Sequence, residues 1–417
     1  MSHSPAPADL IDSRYALWRL IISLLVMLMG SSCMFAVAVV LPQVQAEFGI
    51  SRSEASLPYT LMMVGFGVGG LFMGRVVDRY GVSVALLIGS GGILLGFLWS
   101  SVSEGIVGFT LAHGLFLGLL GTSATFAPLV ADTSLWWNKR RGIAVAVCAS
   151  GNYLAGAVWP NIANWGIDSV GWRETYFWMG IVCSLSMALL SLLLRRRPPL
   201  SVSTPSASSG VVASSRPFGL STGHVQTLLI IAGLSCCVAM AMPQVHIVAY
   251  CVDLGFEAAR GAEMLSLMLG FGVVSRLLSG VICDRIGGIR TLLLGSLLQG
   301  IALLMFLPFD GLVSLYVISA VFGLFQGGIV PSYAIIIREH FPPAETGRRV
   351  GAVIMATMLG MALGGWLSGY IFDLTGSYDF ALLNGVAWNA VNLSIVLWLL
   401  WRLKTRASPP MSAVSTG

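Results

Sequence analysis

Twelve long apolar runs, separated by short charged or Pro/Gly-rich breaks, set the rhythm of this chain. They fall near residues 18–42, 57–77, 83–102, 106–131, 142–166, 174–194, 226–250, 261–283, 290–308, 312–337, 350–372 and 379–401. A helix needs ~20 apolar residues to cross ~30 Å of hydrocarbon, and most of these runs are that long. In lipid a single spanning segment must satisfy its own backbone hydrogen bonds, so the runs predict helices. The first is too long for the apolar core of a signal peptide and is followed by no small-residue cleavage site, so it is expected to stay as the first helix. One polar stretch, PPLSVSTPSASSGVVASSRP, interrupts the pattern between the sixth and seventh runs. Such a Ser/Pro/Gly-rich segment buries no core. The expected organisation is a six-helix bundle over 1–197, a flexible cytoplasmic linker over 198–224, and a second six-helix bundle with a short cytoplasmic tail over 225–417.

Composition agrees with a membrane protein. The chain has 417 residues, 56% hydrophobic and 10% charged, against ~25% charged in soluble domains. The net charge of +5 invites a nucleic-acid reading, but its distribution removes it. With the N-terminus inside, 19 of the 23 Lys and Arg fall in cytoplasmic segments; only Arg52, Arg173 and Arg260 fall outside, and Arg276 lies within a span. This positive-inside bias predicts that both termini are cytoplasmic; the chain is expected to be a multi-pass protein of the bilayer, with a bacterial inner membrane as its expected location. The seven cysteines have neither zinc-site spacing nor a paired extracellular arrangement, so they read as small buried hydrophobes, and no metal or cofactor is expected. There is no G-x-x-x-x-G-K-[ST] loop for nucleotide phosphates. Carboxylates, His and Cys at membrane depth are too few for an enzyme site.

The two halves share a motif. Gly74-Arg-Val-Val-Asp78-Arg79-Tyr-Gly81 follows the second run, and Gly280-Val-Ile-Cys-Asp284-Arg285-Ile-Gly287 follows the eighth, every matched residue offset by 206 positions. Two parallel repeats with a substrate site between them are one known transporter plan. Gly74 and Gly280 are expected to let helices approach closely. Asp78 and Asp284 are expected to pair with helix termini or basic neighbours, and Arg79 and Arg285 with carboxylates or carbonyls, as a latch that breaks between states. The plainer alternative is a basic loop with a tight turn.

Arg276 is the one charge in the apolar run from Met264 to Cys283. A charge near the bilayer centre costs at least ~2.5–3.5 kcal/mol and usually serves a cavity. Arg276 lies eight residues before Asp284, or ~12 Å along a helix, near the midplane. Its planar fork suits a carboxylate; the alternative is that it binds backbone carbonyls or snorkels to the interface. His246, roughly 10 Å below the outer surface, is a candidate proton or substrate group. Asn152 and Tyr153 in span five, and Gln326 and Tyr333 flanking Gly327-Gly328 and Pro331 in span ten, are candidate cavity residues. His113 carries less weight. Asp132, shortly before the basic Lys139-Arg140-Arg141 cluster, reads as part of a structural ion pair.

The span count, central linker and duplicated G-x-x-x-D-R-x-G resemble the major facilitator superfamily over nearly the whole chain. Trp136-Trp137-Asn138-Lys139-Arg140-Arg141-Gly142-Ile143-Ala144, continuing into Ala149-Ser150-Gly151-Asn152-Tyr153 and Pro160, resembles the monocarboxylate transporters and the bacterial oxalate/formate exchangers. So, less specifically, does Gly171-Trp172-Arg173. Pro243-Gln244-Val245-His246 through Asp253-Leu254-Gly255, followed by Arg276-x-x-x-Gly280, adds to the likeness. The resemblance implies the two-bundle major facilitator fold and makes Arg276 the partner of a substrate carboxylate. Many animal relatives carry an Asp one turn earlier, where this chain has Gly272. The dicarboxylate exchangers carry a Lys in span eleven, where Thr357 is the nearest polar residue here. A single cation favours one carboxylate over two.

The function expected is therefore secondary active transport of a small organic anion, a monocarboxylate, by rocker-switch alternating access in a monomer. Proton symport and exchange against a counter-anion both remain open. The alternatives are an exporter of amphipathic drugs or metabolites, for which Arg276 is dispensable, and a non-transporting membrane sensor.

Overall fold

The computed structural model describes residues 10–197 and 217–407. Among them are twelve helical spans and no strand. The first six are α1 (Arg14–Phe48), α2 (Arg52–Tyr80), α3 (Val82–Ser101), α4 (Ile106–Leu135), α5 (Arg141–Val170) and α6 (Trp172–Leu193). The second six are α7 (Thr222–Asp253), α8 (Ala258–Ile286), α9 (Gly288–Met305), α10 (Leu312–His340), α11 (Glu345–Thr375) and α12 (Asp379–Thr405). Most of the helices run past the apolar stretch that predicts them, because a helix ends where its cap lies and not where hydrocarbon ends. At α2, for instance, a capping box of Ser51 and Glu54 starts the helix at Arg52, five residues before the apolar run.

Most of the expected linker, together with Arg216, lies outside the described residues. Its described end is packed against the second bundle. Phe218 is buried and stacks on His340 at 4.4 Å, its carbonyl accepts from Arg402 Nε at 3.2 Å, and α7 already begins at Thr222. Three spans are irregular; α10 breaks at Gly327 and Gly328, between Leu312–Gln326 and Ile329–His340. α1 breaks at Ser31 into Arg14–Gly30 and Ser32–Phe48. α4 contains a π-helical stretch, Ala112–Gly121, a form that recurs at functional sites.

The sequence repeat is also a repeat of shape. Gly81 (φ 91, ψ 165) and Gly287 (φ 83, ψ 162) turn the chain from α2 into α3 and from α8 into α9 through one left-handed conformation that glycine alone takes cheaply. The two halves meet along α2 with α11 and α5 with α8, and the distal piece of α1 touches α7. Small residues set these contacts. A Cβ at Gly369 would lie 2.8 Å from the Arg52 carbonyl oxygen, one at Gly67 would lie 2.6 Å from Met355 Sδ, and one at Gly156 would overlap Leu269. Thr60 Oγ1 donates to the Ala362 carbonyl at 3.1 Å.

These contacts are one-sided. Every hydrogen bond and ion pair between the two bundles among the described residues lies at the distal end or mid-span: Arg52 and Ser53 with Asp253, Asp373 and Tyr378, Thr60 with Ala362, and Arg276 with Ala149. The halves therefore close over the distal face and part toward the opposite, basic face, which carries most of the arginines. On the closed side, α1 from Gly30 to Leu41 and α7 from Ser235 to Cys251 are buried all round.

Candidate functional site

Arg276 projects from α8 into the seam between the halves and is 7% exposed. Its Nη1 donates to the Ala149 carbonyl of α5 at 2.8 Å, and its Nε to the Gly327 carbonyl of α10 at 3.4 Å. The guanidinium carbon lies 4.2 Å from the centroid of the Tyr153 ring. Glycines make this geometry possible. A Cβ at Gly272 would overlap the Tyr153 ring, and one at Gly327 would overlap the Gly272 carbonyl. Where the resembled family suggests an Asp, the space is filled by a phenol ring under the cation. A desolvated cation–π pair contributes ~2 kcal/mol, and the two carbonyls take two of five guanidinium donors. No ion pair involves Arg276 among the described residues. A buried guanidinium held only by dipoles is short of one negative charge.

Other polar groups surround this point. Asn152 Nδ2 donates to Ser31 Oγ at 3.2 Å, joining α5 to the break in α1. Gln326 is fully buried beside Gly327; it accepts from Gln244 Nε2 at 2.8 Å, and its own amide nitrogen has no partner. Tyr59 of α2 is 3% exposed with an unpartnered hydroxyl, within electrostatic range of Tyr153 and Cys237. Sequence reading missed Tyr59 and Gln244. Tyr59 stands between Pro58 and Thr60 and Gln244 two residues before His246, so neither is an isolated polar group and no local signal singles it out.

The structure places two expected residues elsewhere. Tyr333 donates to Asn392 Oδ1 at 2.9 Å, and Asn392 Nδ2 donates to Ser296 Oγ at 2.7 Å, which makes Tyr333 part of the wall between α10, α12 and α9. His246 is fully buried at the distal end, where Nε2 donates to the Gly365 carbonyl at 2.8 Å and Nδ1 lies 3.0 Å from the Tyr378 hydroxyl. Arg52 Nη1 donates to that hydroxyl at 3.3 Å, so the tyrosine proton is directed to His246 Nδ1. Burial holds the Tyr378 phenol above its ordinary range, so it keeps that proton. His113 is sealed in α4, its Nδ1 2.8 Å from the Phe109 carbonyl.

The residues around His246 form a clasp between the halves. Arg52 Nη2 pairs with Asp253 Oδ1 at 3.0 Å, and its guanidinium carbon lies 4.7 Å from the Phe372 ring centroid. The two carboxylate oxygens of Asp373 accept from the backbone amides of Arg52 and Ser53, both at 2.8 Å. A carboxylate of the second half thus caps the N-terminus of a helix in the first.

On the basic face the expected latch is unmade in this conformation. Gly74 and Gly280 touch no neighbouring helix here, and Asp78 and Asp284 accept no hydrogen bond among the described residues. Arg79 lies over its neighbour Tyr80 at 5.3 Å and gives its carbonyl to Arg197 Nη2 at 3.4 Å. The α9 N-terminus is capped instead by Glu339 of α10, whose oxygens accept from Gly288 N at 3.2 and 3.3 Å. Asp132 is in an ion pair, as expected, but with Arg19 of α1 at 2.7 Å and not with the 139–141 cluster. The latch residues stand apart because the halves part on this side.

The family model described as Major Facilitator Superfamily matches residues 20–314 and 264–415. The chain belongs to that superfamily. Among its relatives, Monocarboxylate transporter 13 of Rattus norvegicus is 29% identical over 69% of this chain and 67% of its own. The MFS-type transporter pynF of Aspergillus niger is 24% identical over 78% and 74% respectively. The same fold occurs in a bacterial homolog of the human lysosomal transporter Spinster, solved in an inward-facing and occupied conformation. That structure aligns with a TM-score of 0.67 and 13% identity over 94% of this chain and 98% of its own. No group of three or more His, Cys, Asp or Glu suited to a metal ion exists among the described residues.

Proposed function

We propose that this major facilitator transporter moves a small organic anion, best a monocarboxylate, by rocker-switch alternating access, with Arg276 as the carboxylate-binding residue. The observation that carries the reading is the guanidinium in the seam, bonded to a carbonyl of the opposite half and lacking a carboxylate. A substrate carboxylate supplies the missing charge and competes with the Ala149 carbonyl for Nη1. Occupancy is then linked to the contact that holds α5 against α8. Tyr153 orients the fork from below, and Tyr59 and Gln326 offer unpartnered donors to further substrate oxygens. His246 and Tyr333 have no part in this site.

The basic face is read as cytoplasmic, with both ends of the chain on that side. The conformation described is then open to the cytoplasm and closed outside by the Arg52 clasp. The protein acts as a carrier and not as an enzyme.

Counterflow in proteoliposomes, with labelled mono- and dicarboxylates and with or without a pH gradient, tests the proposal. Wild-type protein is expected to exchange monocarboxylates. Arg276→Lys, which keeps the charge but loses the fork, is expected to raise KM about tenfold to a hundredfold. Wild-type kinetics in that variant, or equal transport of compounds without a carboxylate, would overturn the reading in favour of an exporter of amphipathic compounds.

A further inference from the structure

The two halves differ at one matched position on the basic face. In the second half, the first amide of α9, at Gly288, is capped by the carboxylate of Glu339. The matched amide in the first half, 206 residues earlier, is that of Val82 at the start of α3. The acidic residue nearest the register of Glu339 is Asp132, 207 residues earlier, and Arg19 holds it at 2.7 Å. Beside Val82 there is a cleft of about 260 Å³, lined by Tyr80, Gly81, Ser83, Asp132 and the run Arg195-Arg196-Arg197. All three arginines are exposed. Residues 198–216, which follow them, include no Asp or Glu, so the adjoining sequence offers the cleft no carboxylate.

We propose that this cleft binds the phosphate of an acidic phospholipid. The second half shows that an anion belongs at the turn, because there the protein supplies one itself. In the first half the same turn borders a cleft lined by Arg195, Arg196 and Arg197; Arg197 spends one Nη2 bond on the Arg79 carbonyl and Arg196 lies over the Tyr15 ring at 5.7 Å, which leaves their other N–H groups and those of Arg195 for phosphate oxygens. The lower rim is apolar and partly exposed, with Val84 at 38% and Leu87 at 36%, which suits an acyl chain better than a free ion. Basic clusters just beyond a membrane span attract anionic headgroups by the same physics. The bound phosphate joins the α2–α3 turn, which carries Asp78, Arg79 and Gly81, to the end of α6.

The test uses the full chain purified from bilayers of phosphatidylcholine alone or with phosphatidylglycerol, and native mass spectrometry to count retained lipid. The variants are Arg195→Gln/Arg197→Gln and, as a control in the second half, Glu339→Gln. Wild type is expected to retain one phosphatidylglycerol, and the double variant to bind it roughly tenfold or more weakly. Glu339→Gln is expected to retain that lipid as wild type does. Circular dichroism and monodisperse elution confirm that the double variant is folded. In a second arm, inorganic phosphate is added to protein in phosphatidylcholine and thermal unfolding is followed. No shift with phosphate, alongside a shift with phosphatidylglycerol that the double variant loses, supports the lipid. An equal shift with phosphate alone overturns the lipid assignment, and equal retention by wild type and double variant overturns the site.

Discussion

Asp373→Ala removes the carboxylate that joins the second half to the first two amides of α2. The two bonds of 2.8 Å are charge-assisted, and each such bond is worth ~1.5–3 kcal/mol when shielded from water. Asp373 is exposed, so water replaces much of that. Loss of a helix cap, typically ~0.5–2 kcal/mol, is the better scale. With ~1–2 kcal/mol removed from the outer-closed state alone, the ratio of outer-open to outer-closed molecules should rise about fivefold to thirtyfold. Spin labels at Glu104→Cys and Asp310→Cys, exposed loop positions in opposite halves, report that ratio by pulsed dipolar spectroscopy in nanodiscs. All seven native cysteines are buried and compete little for the label. Arg52→Ala, which removes the ion pair with Asp253, the bond to Tyr378 and the contact with Phe372, should shift the ratio further. An unchanged distance distribution in both variants, in protein that still elutes as a single species, would refute the view that these residues hold the outer side shut.

Other substitutions separate the remaining roles. Tyr153→Phe keeps the ring face under Arg276 and should transport near wild-type rates, whereas Tyr153→Leu should raise KM about threefold to thirtyfold in counterflow, the scale of a lost cation–π contact. Gly272→Ala drives a methyl into that ring at a cost of ~1–3 kcal/mol, so transport per folded molecule should fall; wild-type turnover would show that the ring need not sit there. His246→Gln should leave the transport pH profile unchanged between about pH 5.5 and 8, because the neutral imidazole is already bonded at both nitrogens away from Arg276. A displaced profile would return His246 to the proton path. Gly81→Ala and Gly287→Ala should lower folded yield, since each forces an L residue to positive φ at ~1–2 kcal/mol. Gly74→Ala and Gly280→Ala meet open space here and should fold normally. If the helices close there in the opposite state, these two variants lose turnover, and full turnover would remove close approach from the cycle.

What was legible in the sequence follows from the range of each interaction. The spans were readable because hydrocarbon thickness acts locally on every stretch of twenty residues. The break in α1 at Ser31 and the π-helical stretch of α4 were not, because both lie inside uniformly apolar runs that satisfy the same criterion. Arg276 announced itself by charge alone. Its partners, Ala149 and Tyr153, are more than a hundred residues away and are set by how the halves face each other. The clasp was missed for a similar reason. Arg52 stood out as one of three outer arginines, but only tertiary packing places Asp253, Phe372, Asp373 and Tyr378 around it. His246 was assigned to the pathway on depth, and depth does not reveal which way a side chain points. The repeat gave the position of the two turns. It gave no sign that Glu339 and not Asp284 would serve the second.

The two spans that are most buried within the protein, α1 and α7, are also the two most apolar of the twelve. Their closed-side halves meet no lipid in the folded molecule, so lipid contact there cannot explain the composition. The explanation lies earlier in the life of the chain. Spans enter the bilayer one by one and associate afterwards, so α7 must partition into lipid before any neighbour exists to cover it. Its hydrophobicity records the conditions of insertion and not those of the finished structure. A polar substitution between Ser235 and Cys251 can therefore be harmless to the packed bundle and still prevent the protein from being made.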